Sequence, residues 1–186
     1  MRLNTNGLII NEKQTGEADR LVTVLTRDMG VIKAFVRGAR TVKSRSLSST
    51  QLLAYSRFSI YMNRDVYTID EAEPIEVFFG LRKDLIRTSL SMYFCELVYE
   101  LAPESTDSKD ILSFTLNTLY MLSNNKLPTN QIKAIFEFRM LSLTGYMPDL
   151  IGCAGCSKYI DDSMFFDVEN SQLYCENCKP RSESVV

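Results

Sequence analysis

Histidine and tryptophan are both absent from this sequence of 186 residues. Without histidine, the chain cannot form a Ser-His-Asp triad, a Cys-His dyad, a His-based metalloprotease helix or any site that uses imidazole as general base. No apolar stretch typical of a signal peptide follows Met1, and no run approaches the ~18–20 apolar residues of a membrane span. We therefore expect a soluble, cytoplasmic protein without a membrane partner.

The chain also lacks a large net charge of either sign. The formal net charge is −2, which excludes a wholly basic, histone-like protein. Apolar residues make up 45% of the chain and charged residues 24%, which are ordinary values for globular proteins. The sequence can therefore form a real core, and its length allows one or two compact domains.

Cysteine is scarce, but four of the five cysteines form a set. Cys153, Cys156, Cys175 and Cys178 have the spacing C-x2-C-x18-C-x2-C, which is typical of structural zinc sites. Two tight turns direct four thiolates at one point, and a closed shell of four sulfurs leaves no position for a substrate. The pattern predicts one structural Zn²⁺. A site with the metal lost or replaced, two disulfides and a redox pair are the alternatives.

The residues between the two cysteine pairs predict a zinc-ribbon hairpin. Residues 164–168 and 172–174 have the composition of short strands, and residues 169–171 form the turn. The fifth cysteine, Cys95, lies in a helical apolar pattern, which indicates a buried small hydrophobic residue.

The first part of the chain is rich in strand patterns separated by short turns. We expect strands at residues 8–10, 20–26, 31–36, 53–62 and 66–70. Five short strands without intervening long helices favour a small closed or partly open barrel.

Helical periodicity begins after Pro74. We expect helices over residues 77–101, over residues 108–123 and from Thr129 to Gly145. The predicted domains are a barrel at 1–78, a helical domain at 79–150, a ribbon at 151–180 within or after it, and a frayed tail at 181–186. The predicted fold class is therefore α+β and multidomain.

The barrel region contains a stretch without acidic residues. From Met29 to Arg64 there is no Asp or Glu, whereas seven residues are Lys or Arg. Cations neutralise phosphates, and aromatic rings stack on bases whatever their sequence, so this combination is typical of single-stranded nucleic-acid binding. The candidate phosphate contacts are Lys33, Arg37, Arg40, Lys43, Arg45, Arg57 and Arg64. The candidate stacking residues are Phe35, Tyr55, Phe58, Tyr61 and Tyr67.

The alternation of side chains between the two faces of a strand narrows the set of candidate DNA contacts. Tyr55, Arg57 and Tyr61 share one face of their strand, while Phe58 faces the opposite side, toward the expected core. A solvated basic surface, with the aromatic residues in the core, is the alternative interpretation. The basic loop from Arg37 to Arg45 is the strongest indication, because loops on rigid barrels often carry binding.

Three blocks of sequence resemble the RecO family of bacterial DNA repair proteins. They are residues 16–30, residues 35–40, and residues 136–141 with 145–150 leading into Cys153. The resemblance implies an OB-fold for residues 1 to about 78, then a helical domain that carries the zinc ribbon.

The same resemblance implies a recombination mediator that is not an enzyme. It implies binding of single- and double-stranded DNA, annealing of complementary strands and, with RecR, loading of RecA onto strands coated by single-strand-binding protein (SSB). Arg37 and Arg40 match positions expected to contact DNA. Arg139 lies in a matching block, where it would meet the acidic C-terminal tail of SSB or form an internal ion pair. A nucleoid-associated, cytoplasmic location follows from this role.

Other functions remain open at this stage. Family members usually continue for several tens of residues after the ribbon, so we expect either a truncated sequence or a short helical domain. A zinc-ribbon adaptor without DNA affinity is the main alternative. An acid-based nuclease would use the cluster Asp65, Asp70, Glu71, Glu73 and Glu76, and a zinc-ribbon transcription factor is a further alternative.

Overall fold

A computed structural model describes residues 1–17, 19–38, 47–64, 66–104, 106–181 and 184. The chain divides into two compact units, Met1–Thr144 and Gly145–Val186. The first unit contains β1 (Arg2–Thr15), β2 (Asp19–Thr26), β3 (Val31–Val36), β4 (Ala54–Asn63), β5 (Val66–Val77), a 3-10 helix (Phe79–Lys83), α1 (Leu85–Leu101), α2 (Lys109–Ser123) and α3 (Thr129–Thr144). The second contains β6 (Asp149–Cys153), β7 (Met164–Asp167) and β8 (Gln172–Cys175). No helix in the described ranges has the length and apolar character needed to cross a membrane.

The strands of the first unit close into a barrel in the order β1-β2-β3-β5-β4. All neighbouring pairs are antiparallel except β3 and β5, which run parallel. A five-stranded barrel with this order is the OB-fold arrangement, so the predicted fold is confirmed. Gly7 is required where β1 crosses β2, because a Cβ there would lie 2.6 Å from Cγ1 of Val24 and 2.9 Å from the Leu25 carbonyl oxygen.

Strand alternation fills the barrel interior. In β3 the even-numbered residues Ile32, Ala34 and Val36 are buried, while Lys33 and Phe35 are exposed. In β4, Phe58 and Ile60 are fully buried, as the alternation predicted. The interior cluster consists of Ile9, Val22, Val24, Ile32, Ala34, Val36, Ala54, Phe58, Ile60 and Ile69.

A second apolar cluster joins the barrel to the helices. Leu8 and Ile10, which flank the inward-facing Ile9, contribute to this cluster together with Phe94 of α1 and Phe136 of α3. The rings of Phe94 and Phe136 are stacked, with centroids 4.1 Å apart. The barrel and the three helices therefore share buried surface inside one compact unit.

Several element boundaries differ from the expected ones. Strand β1, expected at residues 8–10, runs from Arg2 to Thr15, because it pairs with β4 along its first half and with β2 along its second. Strand β5 continues through Pro74 to Val77, because a shift of register between β4 and β5 accommodates the proline, which lacks the amide hydrogen for a regular ladder. The helix expected over 77–101 is wrong at its start. Asp84 is extended and its carboxylate accepts a hydrogen bond from the Arg87 amide at 3.0 Å, so α1 begins only at Leu85.

The second unit is a three-stranded sheet in the order β6-β8-β7. Strands β7 and β8 form the predicted antiparallel hairpin, with Phe165 opposite Tyr174. Strand β6 pairs parallel with β8, a pairing that the sequence did not indicate. Asp167 stabilises the hairpin turn, because its buried carboxylate accepts hydrogen bonds from Asn170 Nδ2 at 2.8 Å and Ser184 Oγ at 3.0 Å.

Candidate metal centre and nucleic-acid face

The four cysteines of the predicted set lie together in the second unit. Their Sγ atoms are all within 4.8 Å of one another, and the Sγ atoms of Cys156 and Cys175 are 3.7 Å apart. A tetrahedron with metal–sulfur distances of about 2.3 Å has sulfur–sulfur edges of about 3.8 Å, so the cluster has the dimensions of a four-thiolate metal site. Cys95 is buried in the first unit, as predicted. Among the described residues, no other group of three or more Cys, Asp or Glu side chains is close enough to share a metal ion.

Backbone hydrogen bonds hold each cysteine pair in a tight turn. The Ser157 amide donates to the Cys153 carbonyl at 2.8 Å, and the Cys178 amide donates to the Cys175 carbonyl at 3.1 Å. Gly155 is required inside the first turn, because a Cβ there would lie 2.9 Å from the Cys178 Cβ and 3.1 Å from its Sγ. The sequence analysis did not single out Gly155. Its position between Cys153 and Cys156 is the signal that could have identified it.

The thiols differ in their acidity. Backbone hydrogen bonds from Cys175, Cys156 and Gly155 lower the pKa of Cys153 to about 6. Hydrogen bonds that the protonated Cys178 thiol makes to Cys175, and then to Cys156 and Cys153, raise its pKa to about 12. The Cys153 thiolate therefore opposes ionisation of the Cys178 thiol, and a bound cation would allow four thiolates to coexist in this volume.

A groove on the barrel brings together three of the predicted DNA contacts. Arg37, Tyr61 and Arg64 line an open groove of about 450 Å³, which Asn63, Val66, Thr68 and Asp70 complete. All three predicted residues are exposed. Arg37 directly follows β3, while Arg64 lies in the turn between β4 and β5 with a φ of 46°. Neither arginine forms an ion pair with another residue in the described ranges.

The other predicted DNA contacts among the described residues do not line this groove. Lys33 points toward α1, where its Nζ is 5.4 Å from the centroid of the Tyr99 ring, and a hydrogen bond with Tyr99 raises its pKa. Arg57 is 3.7 Å from Glu73 of the neighbouring strand. Tyr55 is half-buried and packs against the cluster shared with the helices. Arg40, Lys43 and Arg45 lie outside the described residues.

Acidic side chains of β5 lie beside the predicted DNA contacts on β4. Strand β5 places Glu76, Glu73 and Glu71 opposite Tyr55, Arg57 and Ser59 of β4. The acid-free stretch in the sequence therefore does not give an acid-free face on β4, because pairing brings in side chains from a distant segment. Arg2, which precedes that stretch and was not predicted, lies 3.9 Å from both Asp70 and Glu71.

The acids proposed for a nuclease are distributed along this surface. Asp70 and Glu71 lie beside Arg2, and Glu73 lies beside Arg57, while Asp65 is outside the described residues. Arg139 is exposed on α3 and forms no ion pair within the described part of the chain.

Comparison with known proteins covers nearly the whole chain. A family model described as Recombination protein O N terminal matches residues 1–78, and one described as Recombination protein O C terminal matches residues 82–185. A DNA repair protein RecO from Acetivibrio thermocellus is 37% identical over 95% of this chain and 70% of its own length. Proteins of the same name from Alkaliphilus metalliredigens and Dehalococcoides mccartyi are 29% and 32% identical, over 96% and 94% of this chain and 72% and 69% of their own lengths.

Proposed function

Because this chain belongs to the RecO family of DNA repair proteins, we propose that it is a non-enzymatic recombination mediator. It binds single- and double-stranded DNA, anneals complementary strands and, with RecR, helps to load RecA onto DNA coated by SSB. Its location is the cytoplasm, in association with the nucleoid.

The observation that carries this proposal is the groove on the barrel. Arg37 and Arg64 present guanidinium groups without an ion-pair partner in the described ranges, and Tyr61 is exposed between them in the same groove. Two cations that form no ion pair with any described residue favour phosphate binding, because no such pair has to be broken first. Arg40, Lys43 and Arg45 extend the basic sequence that follows Arg37.

Annealing follows from electrostatics alone. Two strands of like charge repel each other, and a basic surface that holds one or both strands lowers this barrier and raises their encounter rate. No nucleophile, general base or open metal position takes part. Lys33 and Arg57 would contribute less than Arg37 and Arg64, since Tyr99 and Glu73 already engage them.

The metal in the second unit is Zn²⁺ in this proposal. Cys153, Cys156, Cys175 and Cys178 would hold it, and the bound ion would supply structural stability rather than chemistry, because four thiolates close its coordination shell. Its role would be to stabilise the fold of the ribbon.

Arg139 is the proposed contact for the acidic tail of SSB. The side chain is exposed on α3, so its guanidinium can pair with a carboxylate of the tail. RecR and, indirectly, RecA complete the set of proposed partners.

The test is the double variant Arg37→Ala/Arg64→Ala, measured by fluorescence anisotropy with a labelled single strand across a range of salt concentrations. Each phosphate contact contributes about −0.7 to the slope of log affinity against log salt, so removal of two contacts flattens the slope by about 1.4. The control is Lys109→Ala/Lys126→Ala, which removes two exposed cations from the helical part.

We expect the control to keep the wild-type affinity and slope. An unchanged slope in the Arg37→Ala/Arg64→Ala variant would show that the groove is not the DNA site. Absence of DNA binding by the wild-type chain, together with capture of RecR or SSB, would favour the adaptor function instead.

A further inference from the structure

Two exposed aromatic rings lie in one row across three strands of the barrel. Thr68 of β5 is in register with Phe35 of β3 on one side and with Tyr61 of β4 on the other. Residues in register have their side chains on the same side of a sheet, and the neighbouring Ile69 is buried in the interior, so all three side chains face outward. Phe35 is 37% exposed and Tyr61 is 46% exposed.

The spacing of this row allows each ring to stack on a different base. Adjacent strands lie about 4.8 Å apart, so Phe35 and Tyr61 are separated by about 10 Å across the sheet. The residue between them is a threonine, which is small enough to leave both rings accessible. Within the described ranges, neither ring pairs with another aromatic ring or lies under a Lys or Arg side chain.

Cations adjoin the row on both sides, because β3 runs parallel to β5 whereas β4 runs antiparallel to it. Arg37 is two residues beyond Phe35 in the chain, and Arg64 is three residues beyond Tyr61. Both arginines line the groove to which Tyr61 and Thr68 also belong. Asp70 is the acidic member of that groove, and Arg2 lies 3.9 Å from it and offsets its charge.

We infer that Phe35, Thr68 and Tyr61 form a stacking platform that selects single-stranded over double-stranded DNA. The inference rests on the proposed DNA binding and adds the residues that set its preference. Phosphates are present in both forms of DNA, so Arg37 and Arg64 do not distinguish them. The faces of bases are free only in a single strand, because in a duplex they are stacked on one another, so the aromatic row favours single strands.

The test compares the affinities of the chain for a labelled single strand and for a duplex of the same sequence. Phe35→Leu/Tyr61→Leu keeps apolar bulk at both positions but removes both π faces. We expect it to bind the single strand at least tenfold more weakly and the duplex within twofold of the wild type. Tyr61→Phe retains the ring and should retain the preference. Tyr120→Leu replaces an exposed tyrosine on α2 and is the matched control, expected to behave as the wild type.

A second readout uses the absence of tryptophan from the chain. Tyr61→Trp introduces a single tryptophan whose emission should be quenched by a stacked base when the single strand binds, whereas Tyr120→Trp should not be quenched. Equal losses of single-strand and duplex affinity in the double leucine variant would overturn the selective role, and unchanged single-strand affinity would overturn the platform itself. Failure of the wild type to bind either DNA would instead overturn the proposed function on which the inference rests.

Discussion

At the scale of single residues, Gly155 is the clearest requirement of the metal centre. A methyl group at this position would lie 2.9 Å from the Cys178 Cβ, so Gly155→Ala must displace one of the four ligands. We expect its Zn²⁺ affinity to fall by at least tenfold, a loss comparable to that caused by disturbing the groups that orient metal ligands. Competition with a chromogenic chelator measures this affinity. Ala154→Ser, in the same turn but exposed, is the control. Equal affinities in the two variants would contradict the steric argument.

The residues of the metal centre could be predicted more fully than those of the barrel surface. The cysteine spacing is local, and it predicted correctly that these four side chains would lie together. Arg57 and Lys33 were grouped with Arg37 because all three are basic and face outward in the sequence pattern. Their partners Glu73 and Tyr99 come from other elements, and only strand pairing and helix packing bring them close. A sequence pattern carries no information about such neighbours.

At the scale of elements, we expect the ribbon to depend on the proposed metal, whereas the barrel has its own core. Cys156→Ser removes one of four ligands, and four-thiolate sites in small fingers contribute about 10–16 kcal/mol of apparent binding energy. We expect loss of protection from hydrogen exchange in β6, β7 and β8, with protection of β1 to β5 and DNA affinity largely unchanged. Cys95→Ala tests a cysteine outside the cluster and should keep the full metal content. Loss of protection in the barrel of Cys156→Ser would contradict this independence.

Strand alternation predicted β3 and β4 well, because one side of each strand faces the barrel interior. Strand β6 was missed because it is short and its residues Leu150 and Ile151 are exposed, so no buried face produces a pattern. The start of α1 was misplaced because Leu81, Leu85 and Ile86 continue the helical period, although Leu85 and Ile86 are exposed and Asp84 caps the helix.

At the scale of the whole molecule, the barrel and the helices form one compact unit. The matched family models divide between residues 78 and 82, whereas the apolar cluster that contains Leu8, Phe94 and Phe136 extends across that division. Composition could predict that a core exists but not that it would join these two parts, because the pairing of distant apolar faces is decided by tertiary packing. The barrel surface that we propose to bind DNA is therefore supported in part by α1 and α3.

The most direct test of the central claim is the affinity of the unmodified chain for a labelled single strand, measured by fluorescence anisotropy at several salt concentrations. Several Lys and Arg contacts, each contributing about −0.7, predict a log–log slope of roughly −2 to −4. A slope in this range would support a phosphate-binding barrel that acts in DNA repair. No binding at low salt would contradict the account and would favour a protein that acts only through other proteins.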